Sequence, residues 1–283
     1  MYEYGIDLHM HSNYSDGELS PNALIKKSYK KNINVISITD HDTILGLKNI
    51  NKDYDNLVRV ITGIELTAKY NNGNMHILGY GINIRNSELN MKLKEIRDIN
   101  INYIINILAV LKKDYDIAFS YEEIKNLVNV NHNLNRVDIA RLCVENGYVD
   151  NVQEAFNKYL KEAYNKIGGN SKGLEYTECI NLIKNSGGIP VLAHPKTLKL
   201  SEDELYKLVN EMKYNGLMGI ECFHSSHSKE QTKLYLDIAK RLDLLISGGS
   251  DFHGKFTKPN VHLGIINNNE RIIKKELTIM SRL

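Results

Sequence analysis

Histidine and acidic residues recur along this chain at spacings that suit metal binding. His9 and His11 stand two residues apart, and so do Asp251 and His253. Because side chains alternate along a β-strand, residues two apart point to the same side. Single residues of the same types lie in or beside other apolar runs. The nine candidate metal ligands are His9, His11, Asp16, His41, Glu65, His76, His194, Asp251 and His253.

Convergence of these nine groups would leave buried charges uncompensated unless cations lie between them. Mixed nitrogen and oxygen donors suit Zn, Mn or Fe, whereas an all-oxygen set favours Mg or Ca. Nine ligands exceed what one tetrahedral ion needs. We therefore predict two or three divalent metal ions, with Glu65 bridging two of them.

Apolar runs of strand length alternate with longer amphipathic stretches, a pattern typical of β/α units around a largely parallel sheet. Parallel strands of a barrel end on one face, so residues at strand ends gather there. The pair of strands flanking the turn at 69–74 is predicted to form a hairpin. The predicted strands are 5–10, 35–39, 57–68, 75–82, 189–193, 219–223 and 244–247. A helix is predicted over 43–51, after the second strand.

Residues 85–173 change to a purely helical periodicity. Helices are predicted within 96–113 and over 121–128, 136–146 and 152–160. We therefore expect a catalytic barrel domain formed by residues 1–84 and 174–283, with residues 85–173 as a helical insertion subdomain that contributes to substrate binding.

Composition narrows the functional classes. The 283 residues include 42% hydrophobic and 25% charged residues, as expected for a globular core. A net charge of +2 is too small to indicate nucleic-acid binding and fits a small anionic substrate equally well. Three widely spaced cysteines indicate a reducing compartment. With no signal peptide or apolar run of about 18 residues, we expect a cytoplasmic protein without a membrane partner. The sequence gives no indication of oligomeric state.

Seven segments resemble, in order, motifs of the polymerase and histidinol phosphatase (PHP) superfamily of phosphoesterases. They are DLHMHSNYSDG, ITDHDT, GIELTA, HILGYGI, LAHP, GIECF and GSDFHG. The resemblance covers residues 6–83 and 174–264. It implies an α/β fold, a distorted (β/α)7 barrel of the PHP type, with a trinuclear metal cluster. By this resemblance one ion is held by His9, His11, Glu65 and Asp251, a second by Glu65, His76 and His194, and a third by Asp16, His41 and His253.

The segment NRVDIARLCVENGYVDNVQEAFNKYL resembles the insert of enzymes that remove a phosphate from nucleoside 3′,5′-bisphosphates. Some relatives of those enzymes trim short RNA from the 5′ end. Arg136 matches an arginine of that insert which grips substrate phosphate through a bidentate fork. After LAHP the subgroup carries Gly-Arg, whereas this chain has Lys196 and Thr197. A lysine there binds phosphate only as a point charge.

Three further residues complete the predicted substrate contacts. His224 and His227, in FHSSHS after a predicted strand, are candidates for protonating the leaving group or contacting phosphate. Asp42 follows His41 and is a candidate for orienting a ligand or the nucleophile.

The predicted function is hydrolysis of a nucleotide phosphomonoester, either a nucleoside 3′,5′-bisphosphate or a 5′-monophosphate, by a metal-activated hydroxide. We predict that Glu65, His194, Asp251 and His253 form the catalytic core. Two enzymatic alternatives are a 5′→3′ exonuclease on short RNA or DNA and a histidinol-phosphate phosphatase. The non-enzymatic alternative is a metal-stabilised regulatory module. The predicted partner is thus a small phosphorylated molecule or a short oligonucleotide.

Overall fold

A seven-stranded sheet forms the centre of the computed structural model, which describes residues 5–54, 56–70, 75–129, 134–168, 173–266 and 270–283. Neighbouring strands follow the chain order. The strands are β1 (Gly5–Met10), β2 (Ile33–Ile38), β3 (Arg59–Ala68), β4 (Met75–Tyr80), β5 (Ile189–Leu192), β6 (Gly219–His224) and β7 (Leu245–Gly249). All seven strands expected from the sequence are present, with ends shifted by up to two residues.

The sheet curls into a nearly closed barrel because the segment after β7 returns to β1. The Asp251 N–H donates to the His9 carbonyl oxygen (2.8 Å), and the His11 N–H donates to the Phe252 carbonyl oxygen (2.9 Å). Met10 and Phe252 form a parallel bridge beside these hydrogen bonds. The carboxyl ends of β1 and β7 therefore meet at one edge of the barrel, which we call the rim.

One strand runs against the others. β4 pairs antiparallel with both β3 and β5, while the remaining neighbours pair in parallel. The expected β3–β4 hairpin is present, although residues 71–74 of its turn lie outside the described residues. Because β4 is reversed, its first residues, not its last, lie at the rim.

Helices connect the strands and build the insert. They are α1 (Pro21–Lys30), α2 (Leu45–Lys48), α3 (Ser87–Tyr115), α4 (Tyr121–Asn129), α5 (Arg136–Glu145), α6 (Val152–Ala155), α7 (Lys161–Lys166), α8 (Tyr176–Asn185), α9 (Glu202–Tyr214) and α10 (Lys229–Arg241). The Ser20 side chain caps α1, whose first residue is Pro21. The expected helix over 43–51 is reduced to the four residues of α2. The expected helix over 152–160 is α6 followed by a π-helical turn at Phe156–Leu160.

The insert has an apolar core of its own. Tyr103, Ile107 and Leu111 of α3 pack there with Ile139 and Cys143 of α5. Earlier in α3, Leu89 and Leu93 belong instead to the large cluster that covers the barrel. The long helix α3 thus joins the two cores, and the domain boundary expected at residue 85 stays a prediction.

The C-terminal segment closes the barrel end opposite the rim. It contains β8 (Ile265–Ile266) and β9 (Glu270–Arg271), which pair antiparallel and were not expected from the sequence. The Ile6 N–H near the start of β1 donates to the Ile272 carbonyl oxygen (3.1 Å). At the start of β7, the Ile246 N–H donates to the Thr278 hydroxyl (2.8 Å).

Gly249→Ala should destabilise the barrel, because a methyl group at this position would overlap the backbone of His9 in β1. Overpacking of this kind costs about 1–3 kcal/mol, and here the contact is with backbone that cannot turn aside. Chemical denaturation measures the change. Gly5→Ala is the control, since its methyl group would meet nothing closer than 3.4 Å; equal stability of the two variants would contradict close approach of β7 to β1.

Candidate metal centre

All nine predicted ligands lie in or next to the rim. His9 lies in β1 and His11 directly follows that strand. Asp16 lies in the loop of residues 11–20 after β1, here called the Asp16 loop. His41 follows β2, while Glu65 lies within β3. His194 follows β5, and Asp251 and His253 follow β7. His76 lies at the beginning of β4 and reaches the same rim because that strand is reversed.

The carboxylate of Glu65 is the centre of the cluster. It is fully buried, with one oxygen facing three imidazoles and the other facing two. The distances from Oε2 are 3.1 Å to His9 Nε2, 3.1 Å to His11 Nε2 and 3.3 Å to His41 Nδ1, and those from Oε1 are 2.9 Å to His76 Nδ1 and 2.8 Å to His194 Nε2. One side chain therefore contacts two groups of ligands at once, as a bridge between ions requires.

Asp16 organises a second part of the cluster. Its Oδ1 lies 3.1 Å from His253 Nε2 and 3.5 Å from His11 Nδ1. Its Oδ2 lies 3.9 Å from His41 Nε2. These four residues offer ligand atoms within 4.8 Å of one another. His11 and His41 thus touch both the Asp16 group and the Glu65 group.

A buried ligand nitrogen without a hydrogen-bond partner indicates that these side chains suit divalent cations. His11 Nε2 is buried and has no hydrogen-bond partner among the described residues, although carboxylate oxygens of Glu65 and Asp251 lie at 3.1 and 3.2 Å. A nitrogen placed between two carboxylates without hydrogen-bond geometry suits a shared cation. Five overlapping groups of three or four ligand atoms lie within 4.8 Å. Metal binding by the individual residues stays a prediction.

The pKa shifts differ among the ligands. Burial alone would raise the pKa of Glu65, but His41, His9 and His76 together hold it well below its usual range. Burial lowers the pKa of His41 to about 3 and also lowers that of His194. Burial would lower the pKa of His9 and of His11 too, but the surrounding carboxylates raise the first well above its usual range and the second to about 9. Metals bind neutral imidazole nitrogens, so cations here would replace the protons that face Glu65 and Asp251.

The cluster opens to solvent on one side. The side chains of His9, His11 and Glu65 are 0% exposed, whereas those of His41 and His76 are 21% and 17% exposed. The ligands nearest to solvent among these five are therefore His41 and His76.

Glu221 is a buried contributor that the sequence reasoning missed. Its Oε1 lies 2.9 Å from His9 Nδ1, and its Oε2 accepts a hydrogen bond of 2.7 Å from the His194 backbone N–H. A proton on His9 Nδ1 leaves Nε2 to face Glu65 and Asp251. Carboxylates behind metal-binding histidines fix the ring and its tautomer in this way. The available signal was a carboxylate inside an apolar strand, in the motif GIECF.

Lys258 and local backbone strain were also missed. The Lys258 amine pairs with Asp251 Oδ2. Burial alone would raise the pKa of Asp251, but the charges of Lys258, His253 and His9 hold it well below its usual range.

Three residues of the site have strained backbone. Asp42, His194 and Asp251 have positive φ values of 52°, 22° and 57°. Non-glycine residues adopt such angles at a cost and cluster at functional sites.

The predicted substrate contacts divide into two groups. Asp42 accepts hydrogen bonds of 2.8 Å from both the N–H and the hydroxyl of Thr67, so it holds the end of β3. Lys196 Nζ donates to the Ser226 carbonyl oxygen (2.6 Å), which brings it to the loop after β6. His224 Nε2 lies 3.3 Å from Asp251 Oδ2, at the edge of the cluster.

The other two have contacts with residues outside the ligand set. His227 is buried against Tyr235, and its Nδ1–H donates to the Cys222 carbonyl oxygen (3.0 Å). Burial lowers the pKa of His227 to about 3, so at neutral pH it carries no proton to give from Nε2. Arg136 lies in the insert with its guanidinium 4.1 Å from the centre of the Tyr164 ring. Cation–π stacking accounts for that position without a phosphate.

The model of the PHP domain matches residues 7–215 of the chain. The chain belongs to the PHP domain family. A 5′-3′ exoribonuclease of Haemophilus influenzae is 30% identical over 251 residues, covering 87% of this chain and 89% of the relative. A 3′,5′-nucleoside bisphosphate phosphatase of Chromobacterium violaceum is 29% identical over 252 residues, covering 88% and 87%.

A solved structure supports the same assignment. A protein of Bifidobacterium adolescentis described as a metal-dependent phosphoesterase superposes with a TM-score of 0.80 at 26% identity, covering 98% of this chain and 95% of that one. The family, the (β/α)7-type barrel and the class of enzyme, a hydrolase of phosphoric esters, are therefore confirmed for this PHP protein. The non-catalytic alternative gains no support from these relatives. Among the described residues, no helix has both the length and the hydrophobicity that a membrane span requires.

Glu221→Gln should weaken metal binding about ten- to hundredfold. An amide has one acceptor oxygen, so it cannot serve both His9 and the His194 N–H, and one ligand loses its support. Titration of the metal-free protein with Mn²⁺ measures the effect. Glu211→Gln, which alters an exposed carboxylate bonded to the Tyr176 hydroxyl, serves as the control. Identical Mn²⁺ affinity in both variants would show that Glu221 does not support the centre.

Proposed function

We propose that this PHP protein hydrolyses phosphomonoesters of nucleotides at a centre of two or three divalent ions, which we take to be Mn, Zn or Fe. The observation that carries the proposal is the buried Glu65 carboxylate, with imidazoles from four strand ends around its two oxygens. The name of the Chromobacterium violaceum relative supports a nucleoside 3′,5′-bisphosphate or related mononucleotide as substrate.

The chain's residues take three roles in this reaction: some bind the metal ions, one protonates the leaving oxygen, and some bind a second phosphate of the substrate. The metal set consists of the nine residues His9, His11, Asp16, His41, Glu65, His76, His194, Asp251 and His253. Bound cations would acidify a water molecule to supply hydroxide and would neutralise charge on the phosphoryl oxygens. Burial of the ligands excludes bulk water, which strengthens each electrostatic interaction.

His224 is the best placed candidate for protonating the leaving oxygen. The Ser226 N–H lies 3.0 Å from His224 Nδ1, so Nδ1 accepts and the ring proton of the neutral form is on Nε2. That nitrogen faces the cluster near Asp251. His227 behind it packs against His224, with ring centres 5.0 Å apart, and orients the ring instead of donating a proton.

A basic pocket beside the centre favours a substrate with a second anionic group. Asp42, Lys48, Lys94 and Arg97 line it, between α2 and the start of α3. Asp42 directly follows His41, so the pocket adjoins the solvent side of the cluster. Three cationic side chains there suit a second phosphate of a bisphosphate or the next phosphate of an oligonucleotide.

The second candidate function is 5′→3′ exonuclease activity on short RNA, favoured by the Haemophilus influenzae relative. The same centre would serve both reactions, since each breaks a phosphorus–oxygen bond. They differ in the phosphorus that is attacked. The phosphatase attacks a terminal phosphate, whereas an exonuclease that releases 5′-mononucleotides attacks a phosphate that stays on the remainder of the chain while the 3′ oxygen of the terminal nucleotide leaves.

We expect Mn²⁺-dependent release of phosphate, with kcat/KM highest for a nucleoside 3′,5′-bisphosphate. The panel adds a 5′-monophosphate, histidinol phosphate and short 5′-phosphorylated oligonucleotides, and for the oligonucleotides the release of mononucleotides is measured as well. Glu65→Gln should lower kcat by on the order of a hundredfold or more, because the ligand shared between ions loses its charge. Glu211→Gln should match the wild type.

Two results would count against the proposal. Absence of metal-stimulated hydrolysis with every substrate of the panel would refute the proposed nucleotide phosphatase. A kcat/KM for oligonucleotides well above that for the bisphosphate would replace the phosphatase by the exonuclease.

Arg136→Lys should raise KM for the nucleotide about tenfold with little change in kcat, since lysine keeps the charge but loses the bidentate fork. Arg241→Lys is a matched control, because Arg241 also lies 4.1 Å from the centre of a tyrosine ring, that of Tyr206. Steady-state kinetics and thermal melts of both variants separate a role in substrate binding from a role in packing. An unchanged KM in Arg136→Lys would limit Arg136 to packing within the insert.

A further inference from the structure

Helix α5 of the insert makes hydrogen bonds to the Asp16 loop of the barrel. Asn135, the N-cap of α5, donates from Nδ2 to the Ser15 carbonyl oxygen (3.2 Å). Arg141 Nη2 lies 2.9 Å from the Asp16 carbonyl oxygen and 3.3 Å from that of Gly17. These contacts join residues that are more than one hundred positions apart in the chain.

Arg141 also links the Asp16 loop to the segment that follows His253. Its Nη2 lies 3.2 Å from the Thr257 hydroxyl, and that hydroxyl lies 3.3 Å from the Asp16 carbonyl oxygen. The backbone of Asp16 is thus held from two directions. Its side chain in turn lies 3.1 Å from His253 Nε2.

The barrel supports a different part of the same loop. Asp40 accepts hydrogen bonds from the Ser12 N–H (2.7 Å), the Ser12 hydroxyl (2.6 Å) and the Ser15 hydroxyl (2.8 Å). These bonds hold the first half of the loop against the end of β2. The carbonyl groups of Asp16 and Gly17 turn instead towards α5. The position of the Asp16 carboxylate therefore depends on both the barrel and the insert.

We propose that Arg141 is a positioning residue for the metal centre, and that α5 sets the affinity of the ion held by Asp16, His41 and His253. An arginine suits this task, because its planar fork stays charged and reaches several carbonyl and hydroxyl oxygens at once. Displacement of α5 would loosen this ion and leave the ions around Glu65 in place. The inference rests on the metal centre of the proposed function.

The test measures metal content instead of activity. Metal-free protein is reloaded at a series of free Mn²⁺ concentrations, and bound metal per chain is determined by elemental analysis. Arg141→Ala should weaken the binding of one ion per chain by ten- to hundredfold and keep the others at wild-type affinity. The Mn²⁺ affinity of Arg141→Lys for this ion should lie between those of Arg141→Ala and the wild type. The control is Arg241→Ala, which removes a surface arginine paired with Asp237 on α10.

Asn135→Asp provides a second variant that keeps the helix cap. The oxygen that accepts from the Val137 N–H remains, whereas the amide that donates to the Ser15 carbonyl becomes an oxygen. It should weaken the same ion, by less than Arg141→Ala. Thermal melts of the metal-free variants accompany the titrations.

Full metal content at wild-type affinity in Arg141→Ala would overturn the inference while leaving the proposed function intact. Parallel loss of every ion, together with a lower Tm of the metal-free protein in both variants, would also overturn it, since Arg141 would then support folding in general. Failure of the wild-type protein to bind any divalent ion would instead refute the metal centre and, with it, the proposed function.

Discussion

Burial of the Glu65 carboxylate is the constraint on which the rest of the site depends. A lone buried carboxylate is costly, so the fold must surround it with positive or hydrogen-bonding groups. Five imidazoles meet this need, with three on one oxygen and two on the other. No single strand can supply them, because side chains along a strand alternate in direction. A closed rim of several strand ends is the structure that can.

The reversed strand β4 follows from the same constraint. A parallel strand would have placed the beginning of β4, and with it His76, at the far end of the barrel. Reversal brings His76 Nδ1 to 2.9 Å from Glu65 Oε1, beside His194. The short hairpin connection that joins β3 to β4 is possible only for antiparallel neighbours. The distortion of the barrel is therefore part of how the site is built.

Residues next to strand ends were predictable from sequence, whereas their supports were not. His9, His41 and Asp251 each follow an apolar run, so local pattern and barrel topology together place them at one rim. Glu221 and Lys258 act through contacts with residues far away in the chain, and spacing carries no information on such pairs. The strand positions were predicted correctly because they too follow from the local apolar pattern. Helix α2 is shorter than expected because short helices depend on tertiary packing more than on propensity.

The barrel and the insert cannot be divided cleanly into chemistry and substrate recognition. The insert has a separate apolar core, which would allow it to vary independently of the barrel. Yet α5, the helix that carries Arg136, also carries Arg141, whose guanidinium holds the carbonyl groups of the Asp16 loop. A rigid helix that moves to admit one substrate moves both arginines together. Under the proposed function, a displacement of α5 would therefore alter both the metal centre and the fit of the substrate, because one helix carries both arginines.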